Sequence, residues 1–520
     1  MRKLPIGLQD FVGLRNDGYI YVDKTDYIYN LIHTGKVYFL SRPRRFGKSL
    51  LISTMKAYWQ GKRELFKNLK IAKLKENDWF SHPIFHFDFN GANYQKCSSV
   101  LEKVLNNLLT DWEAIYGDKF KDRQLGERFK KLLQLSCEQT GQRAVVLVDE
   151  YDKPLLEVME QPELEKHNKA VFKAFFSVLK EADEYLEFVF IIGVTKFEKV
   201  SIFSDLNQLR DISLNKDYAE ICGITEQEIK DNFTPEIKTL AQEQGLSEED
   251  CFSKLKQTYD GYHFHQNSIG VYNPFSLLNA FADCEFRSYW FETGTPTFLV
   301  NKIANSSFDV RKFTNKTLYA NERILSNYRA DNPDLVPLLY QTGYLTISDY
   351  DAVSQEYTLS FPNKEVEYGL LESLIPEYSV NYNSGSGNDI FTLRRYVESG
   401  ELDGIRDILT ALFASIPYTQ KLSPFEHYFQ SVIYIIFTLL GKYVICEMHT
   451  ATGRIDCVLQ AKNFIYIFEF KRDDSVENAL KQIEEHGYAL PFIADKRTLF
   501  KIGVVFDSEN RTLKDWKVVE

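Results

Sequence analysis

Nine consecutive residues near the N-terminus have the types and order needed to bind phosphate. They read Ser-Arg-Pro-Arg-Arg-Phe-Gly-Lys-Ser from Ser41 to Ser49, after a strand-like run and before a helix-like run from Leu50 to Trp59. In such a strand, loop and helix, backbone N–H groups and the helix N-terminus bind phosphate oxygens. We expect Lys48 to reach the β- and γ-phosphates and the Ser49 hydroxyl to bind Mg²⁺. The predicted nucleotide-binding residues of this loop are Arg44, Arg45, Phe46, Gly47, Lys48 and Ser49.

Two later strand-like runs end in polar residues that fit the same chemistry. The buried-type run from Ala144 to Val148 is followed by Asp149 and Glu150, as in a Walker B segment. Asp149 is expected to hold Mg²⁺ through water and Glu150 to polarise the attacking water; the alternative is an ordinary strand that ends in solvated acids. The run from Phe188 to Val194 ends in Thr195, a candidate sensor of the γ-phosphate. The phosphate-binding loop, the acids and the threonine therefore follow three strand-like runs in the order expected of an ATPase, and this order predicts ATP binding and hydrolysis.

The arginines of the loop allow two interpretations. Arg42 stands where phosphate loops of this kind usually carry their first glycine. Arg42, Arg44 and Arg45 could stabilise the charge of a transferring phosphate; alternatively, Arg42 and Arg44 could pair with acids and only shape the loop. Arg210 is a weaker candidate for an arginine finger, and a surface salt bridge is the default for it.

A second group of chemically active residues lies in a predicted β-hairpin near the C-terminus. The runs Gly453 to Gln460 and Phe464 to Arg472 are separated by a tight turn at about Lys462-Asn463. With a two-residue turn, Asp456 falls opposite Glu469, and alternation along the second run puts Lys471 on the same face as Glu469. The second run is apolar on both faces before the charges begin, so we expect a central, buried strand.

Opposed carboxylates in a buried hairpin need a cation or a proton between them. Oxygen ligands favour Mg²⁺ or Mn²⁺, and such a site can cleave a phosphodiester, with Lys471 steadying the nucleophile or the developing charge. Glu426, near the start of an upstream helix, could supply a further metal ligand or simply be an acid that interacts favourably with the helix dipole. Gln482 and Tyr488 could contact the scissile phosphate, although solvation is the default for both. A solvated edge hairpin with a salt bridge is the alternative to the whole site.

The elements that must position these residues predict four regions. Strand-like runs alternate with helical patterns through about residue 215, which predicts an α/β domain with a mainly parallel sheet over residues 1–224. Thr225 and Glu228 have the spacing of a capping box and begin a helical or winged-helix-like middle region, 225–380. A linker and helical connector, 381–423, precedes a C-terminal α/β domain, 424–520. The aromatic segments Tyr-Asp-Gly-Tyr (259–262) and Tyr-Asn-Pro-Phe (272–275) are either a contact surface or buried packing.

Composition limits the partners and the environment. The 520 residues are 44% hydrophobic and 26% charged, which is typical of a globular protein without membrane spans. The 62 Lys and Arg against 73 Asp and Glu give a net charge of −11, so any DNA contact must use a local patch. The seven scattered cysteines predict free thiols in the cytoplasm, and we expect no signal peptide or membrane anchor. Oligomeric state is left open.

Longer motifs give a resemblance to a known family. The segments Pro5-Ile6-Gly7, Tyr21-Val22-Asp23-Lys24-Thr25 and Arg42 to Ser49 resemble the AAA-ATPase-like family common in Bacteroides-type bacteria, whose loop usually has an arginine at the first glycine position. Gly453 to Asp456 together with Glu469-Phe470-Lys471 resembles the core of the PD-(D/E)XK nuclease superfamily. The resemblance implies a P-loop ATPase of the additional-strand type joined to a restriction-endonuclease-like domain.

Together these observations predict an ATP-binding, ATP-hydrolysing protein whose nucleotide state controls a Mg²⁺-dependent nuclease domain acting on DNA. Glu150, Asp456, Glu469 and Lys471 are the predicted catalytic residues, and Ser49, Asp149, Glu426, Asp456 and Glu469 are the predicted metal ligands. The alternative is a nucleotide-switched scaffold whose C-terminal domain grips nucleic acid or a protein without cutting it.

Overall fold

The fold is known from a computed structural model that forms two compact units. One unit comprises residues Met1–Trp290 and Tyr319–Lys364, and the other comprises Phe291–Leu318 and Glu365–Glu520. The structure describes the whole chain except residues 1, 75–78, 198–207, 293–296, 305, 307, 309, 314–317, 327–333, 379–386, 415–424, 440–442, 450–452, 508 and 510–511.

The first unit is built on a parallel five-stranded sheet. Its strands are β1 (Val37–Ser41), β2 (Ile84–Asp88), β3 (Ala144–Asp149), β4 (Leu186–Gly193) and β5 (Arg210–Asp211). The order is β2-β3-β4-β1-β5, and every neighbouring pair is parallel. Strands β1 and β3 are buried along their whole length, which is why they read as continuous apolar runs. Since β4 lies between β1 and β3, the predicted additional-strand topology is confirmed.

Helices cover this sheet. One side of the core is aromatic, because Phe87 of β2 contacts Phe129, Phe175 and Phe176 with ring centroids 5.1 to 5.7 Å apart. The three rings come from two helices whose apolar faces pack on the sheet. The helices of this part are Phe11–Asn16, Thr25–Thr34, Lys48–Trp59, Lys70–Leu74, Ser99–Tyr116, Leu125–Thr140, Lys153–Leu156, Pro162–Phe176 and Val178–Glu181.

The rest of the first unit is mainly helical. The predicted capping box is present, because the Glu228 N–H donates to the Thr225 hydroxyl (3.2 Å) and the Thr225 N–H donates to the Glu228 carboxylate (2.8 Å). Strands β6 (Ile224–Thr225) and β7 (Val271–Tyr272) pair antiparallel. A small sheet has the order β8 (Leu318–Ala320), β10 (Glu356–Ser360), β9 (Thr346–Asp351). The helices are Glu226–Asn232, Thr234–Glu243, Glu248–Tyr259, Pro274–Asp283, Tyr289–Glu292, Glu322–Ser326 and Val336–Thr342.

The second unit contains a mixed sheet of order β11-β12-β13-β14-β15. Its strands are Tyr443–His449, Arg454–Gln460, Phe464–Arg472, Thr498–Asp507 and Thr512–Val519. Only β13 and β14 pair parallel, and the helix Val476–Glu485 connects them. The other helices are Thr297–Ala304, Lys364–Tyr378, Gly387–Ser399, Leu402–Ala414 and Phe425–Leu439. Strand β13 is central, as predicted, and this unit is the expected C-terminal α/β fold.

The predicted region boundaries at residues 224, 380 and 423 stay predictions. Much of the proposed linker, 379–386, and the end of the connector, 415–424, lie outside the described residues. None of the helices in the described part of the chain has both the length and the apolar character needed to cross a membrane.

Candidate active sites

The phosphate-binding loop leads from the end of β1 into the helix Lys48–Trp59. Gly47 (φ 80°) and Arg45 (φ 68°) both have left-handed backbone, and no side chain caps the helix N-terminus. Among the hydrogen bonds of the described residues, none uses the amide N–H groups of Gly47, Lys48 or Ser49. These donors are therefore free to bind an anion.

Lys48 lies at the centre of this site. Its side chain is 6% exposed, and Nζ donates to the carbonyl oxygen of Pro43 at 3.0 Å. Burial lowers the pKa of Lys48, while the nearby carboxylates of Glu150, Asp149 and Asp152 raise it. One ammonium group therefore faces three acids that come from the end of β3 and the loop after it.

The end of β3 supplies the predicted acids. Asp149 is buried, and burial raises the pKa of its carboxyl from 3.8 to about 6, although hydrogen bonding with Ser49 and the charge of Lys48 lower it. Glu150 is half-buried with φ 47°, and its N–H donates to Asp149 Oδ1 at 2.9 Å. A hydroxyl and a buried carboxylate side by side are ligands that suit Mg²⁺.

Asp152 belongs to this site, although the sequence motifs did not indicate it. Its buried Oδ2 accepts the N–H of Val194 at 3.0 Å and the N–H of Thr195 at 2.6 Å. The Thr195 carbonyl accepts the Tyr151 hydroxyl at 2.5 Å, and within the described residues its buried Oγ1 has no hydrogen-bond partner. The loop after β3 thus holds Thr195 at the end of β4. The available signal was an acid three residues after Asp149.

The C-terminal hairpin has the predicted register. Cys457 pairs with Phe468 and Gln460 with Ile465, and the Ala461 N–H donates to the Phe464 carbonyl at 2.8 Å to close the turn. Continuing the register by one residue places Asp456 opposite Glu469. Asp456 Oδ2 accepts the N–H of Phe470 at 2.9 Å, which fixes its carboxylate at the end of the hairpin.

Glu469 and Lys471 form a connected polar group on one face of β13. Glu469 is 1% exposed, and Lys471 Nζ donates to Glu469 Oε1 at 3.0 Å and to Gln482 Oε1 at 2.5 Å. Gln482 Nε2 in turn donates to the hydroxyl of buried Tyr488 at 3.3 Å. The default of a solvated Tyr488 was therefore wrong, because its side chain is buried, whereas Gln482 is half-buried and accepts from Lys471.

The second carboxylate oxygen of Glu469 is the observation that bears on metal binding. Oε2 is buried and has no hydrogen-bond partner among the described residues. Burial, and then the charge of Asp456, raise the pKa of Glu469 well above its usual range, while Lys471 lowers it. A buried oxygen without a partner beside a second carboxylate fits a divalent cation.

Comparisons with known proteins agree with the predicted architecture. A family model described as predicted AAA-ATPase matches residues 5–203, and a model for the PD-(D/E)XK nuclease superfamily matches residues 424–516. A curated protein from Azotobacter chroococcum mcd 1, named "Uncharacterized protein in vnfD 5'region", is 36% identical over 98% of each chain. This chain belongs to the AAA-ATPase-like family with a C-terminal PD-(D/E)XK domain.

In the AAA-ATPase-like domain, the arginines of the loop do not all face the phosphate position. Arg42 is buried, and its guanidinium donates to the backbone carbonyls of Ser41, Ser213 and Tyr218. This geometry favours the loop-shaping interpretation, with carbonyls rather than acids as partners. Arg210 pairs with Tyr38 near the start of β1, away from the loop at the end of that strand.

Three further predicted binding residues of the loop have distinct environments. Arg44 and Arg45 are exposed, and the Arg45 guanidinium lies over the ring of Phe275 at 4.5 Å. The Phe46 side chain is buried, so only its backbone could contact a nucleotide.

In the PD-(D/E)XK domain, the predicted third carboxylate is in the helix Phe425–Leu439. Glu426 belongs to this helix, but its side chain lies outside the described part of the structure. Among the described residues, no group of three or more His, Cys, Asp or Glu side chains is arranged to hold a metal. The described candidates for metal binding in this domain are therefore the two carboxylates of Asp456 and Glu469.

Proposed function

We propose that the protein binds and hydrolyses ATP, and that its nucleotide state controls metal-dependent cleavage of DNA phosphodiester bonds by the C-terminal domain. The observation that supports the first part is Lys48, buried at a helix N-terminus whose amide groups are unpaired and facing the acids that follow β3. This arrangement matches the needs of a nucleoside triphosphate, which carries its charge on the phosphates.

In the proposed ATP site each residue has a separate task. The loop amides and Lys48 bind the phosphate oxygens, and Ser49 and Asp149 would hold Mg²⁺, which neutralises phosphate charge when bound. Glu150 orients the attacking water and takes up its proton. Thr195, whose backbone N–H is held by Asp152, would sense the γ-phosphate with its hydroxyl.

Nucleotide affinity of Lys48→Ala tests this assignment. Equilibrium binding of ATP in the presence of Mg²⁺ should weaken at least tenfold, because the variant loses the buried ammonium group at the N-terminus of the helix that follows the loop. Lys56→Ala is the matched control, since Lys56 is a half-buried lysine on the same helix, two turns away. Equal affinity of Lys48→Ala and Lys56→Ala would overturn the phosphate-loop assignment.

The nuclease proposal rests on the unpartnered buried oxygen of Glu469 beside Asp456. These carboxylates would hold Mg²⁺ or Mn²⁺, which supplies an activated water and stabilises phosphate charge when bound. Lys471, held by Gln482 and by Glu469 itself, places an ammonium group at the scissile phosphate. The DNA contact would be a local patch beside this hairpin, since the chain as a whole is acidic.

Plasmid cleavage tests the nuclease proposal. Wild type should nick supercoiled DNA with Mg²⁺ or Mn²⁺, at a rate that differs between ATP, ADP and no nucleotide, whereas Asp456→Ala should not cut. Asp515→Ala is the control, because Asp515 is an exposed acid on the same sheet. Wild type that binds DNA without cutting it in any nucleotide state would instead support a nucleotide-switched scaffold with an inactive nuclease fold.

A further inference from the structure

The phosphate-binding loop is contacted by residues more than two hundred positions later in the chain. Each of the five residues before Gly47 has such a contact. The pairs are Arg42 with Phe264, Pro43 with Gly343, Arg44 with Trp290, Arg45 with Phe275, and Phe46 with Tyr262. All of these residues belong to the first unit.

Phe264 has a central place in this group of contacts, because it touches both ends of the loop. The Arg42 guanidinium lies over the Phe264 ring at 4.0 Å, and the Phe46 ring meets the same ring edge-on at 5.7 Å. Phe46 also packs edge-on against Tyr262 at 4.7 Å. All four side chains are nearly or fully buried. Of the two interpretations of the Tyr-Asp-Gly-Tyr segment, the structure favours buried packing, because Tyr259 and Tyr262 are both buried.

The segment that carries Tyr262 and Phe264 is itself fixed. Gly261 has φ +95°, and a Cβ there would come within 2.0 Å of the carbonyl oxygen of Pro362, so only glycine fits. Asn363 Nδ2 donates to the Asp260 carbonyl at 2.8 Å, and the His263 N–H donates to Thr346 Oγ1 at 2.7 Å. The segment with Tyr262 and Phe264 is thus fixed by hydrogen bonds and close packing to residues within and just after the strands β9 and β10.

The loop needs such support for a physical reason. Arg45 has φ 68°, a backbone conformation that is unfavourable for a residue with a Cβ and that persists only where surrounding contacts impose it. The same backbone sets the directions of the amide groups that precede the helix. Contacts to the residues from Arg42 to Phe46 can hold these amides in place without occupying the space of the phosphate.

We propose that Phe264 is a positioning residue for nucleotide binding, acting through Arg42 and Phe46 to keep the phosphate-binding loop in its binding conformation. This inference rests on the proposed function of the loop. It also assigns a role to the aromatic Tyr-Asp-Gly-Tyr-His-Phe segment (259–264), which lies outside the two matched family regions.

Phe264→Leu tests the proposal because leucine keeps the site apolar and removes the ring that both loop residues contact. We expect roughly tenfold weaker binding of ATP with Mg²⁺, the size of effect that follows from losing a cation–π contact and an aromatic pair. In ATP hydrolysis, KM should rise while kcat at saturating ATP stays within about twofold. Phe264→Tyr, which keeps the ring, should restore wild-type affinity. Phe252→Leu is the control, since Phe252 packs on the helical cluster of the same unit.

The results separate this inference from the function on which it rests. If wild type binds ATP and Phe264→Leu binds it as tightly as Phe252→Leu does, the positioning role is overturned and the nucleotide site stands. If wild type does not bind ATP, both the proposed nucleotide site and the positioning role of Phe264 are refuted. Thermal unfolding without nucleotide guards against a folding defect, and if Phe264→Leu does not fold, Trp290→Phe replaces it. That variant keeps an aromatic ring but loses the indole with its Nε1–H, which donates to the Arg44 carbonyl at 3.4 Å. Unchanged ATP affinity in that variant would overturn the inference that these distant contacts hold the loop.

Discussion

Replacing Asp152 with asparagine should make the stability of the first unit less sensitive to pH. Asp152 is 1% exposed, and burial raises its pKa from 3.8 to about 6, although the amide of Thr195 and the charge of Lys48 oppose the rise. Burial therefore disfavours the ionised form. The resulting loss of unfolding free energy is absent below pH 3.8, grows as the pH rises toward 6, and is complete above pH 6.

The magnitude follows from the two pKa values. At 1.36 kcal/mol per pKa unit, the step from 3.8 to about 6 corresponds to about 3 kcal/mol, of which about half develops between pH 5 and pH 8. Asparagine has the same shape, still accepts the amides of Val194 and Thr195, and cannot ionise. Relative to wild type, Asp152→Asn should therefore gain about 1 to 1.5 kcal/mol of unfolding free energy when the pH is raised from 5 to 8.

Guanidinium unfolding followed by tryptophan fluorescence measures this difference, without nucleotide or divalent metal. Trp59, Trp79, Trp112 and Trp290 all lie in the first unit, so the signal reports mainly on it. Asp183→Asn is the control, because the Asp183 side chain is about half exposed, and it should show a much smaller change. A difference between Asp152→Asn and wild type that is the same at both pH values would refute the argument that burial penalises this charge.

Three further predictions follow from single contacts. Thr225→Ala removes the capping box and should cost about 1 kcal/mol in urea unfolding, whereas Thr225→Ser should stay near wild type; equal loss in both would contradict the cap. Gly261→Ala should lower Tm sharply, because its Cβ meets the Pro362 carbonyl; an unchanged Tm would show that the backbone there can shift. Tyr488→Phe keeps the buried ring but loses the bond from Gln482, so DNA cleavage should fall up to about tenfold at unchanged Tm, and full activity would exclude the Lys471–Gln482–Tyr488 chain.

The strands and their polar ends could be predicted from sequence because local patterns determine them. A buried parallel strand is a short apolar run, so β1, β3 and β4 were located within a few residues, together with the acids and the threonine that follow them. The hairpin register followed from a two-residue turn alone, since each cross-strand pair then has a fixed partner.

The supports of both sites could not be predicted, because they depend on contacts between distant residues. Phe264 is more than two hundred residues from Arg42, and no periodicity reports such a contact. Gln482 and Tyr488 follow β13 closely, yet their burial depends on how the helix Val476–Glu485 packs on the sheet. Asp152 was missed for a similar reason, since its partners are amides of another strand.

The two candidate sites share one electrostatic design. Lys48 faces the carboxylates of Asp149, Glu150 and Asp152, and Lys471 faces Glu469 with Asp456 beside it. A lysine neutralises one negative charge, so each site has more carboxylate groups than its own cation can balance. Burial raises the pKa of Asp149 and Glu469, and the neighbouring carboxylates raise it further. Protonation relieves this excess at low pH. At neutral pH a bound divalent cation would relieve it instead, and this is the physical reason to expect Mg²⁺ at both sites of a protein whose sequence is acidic overall.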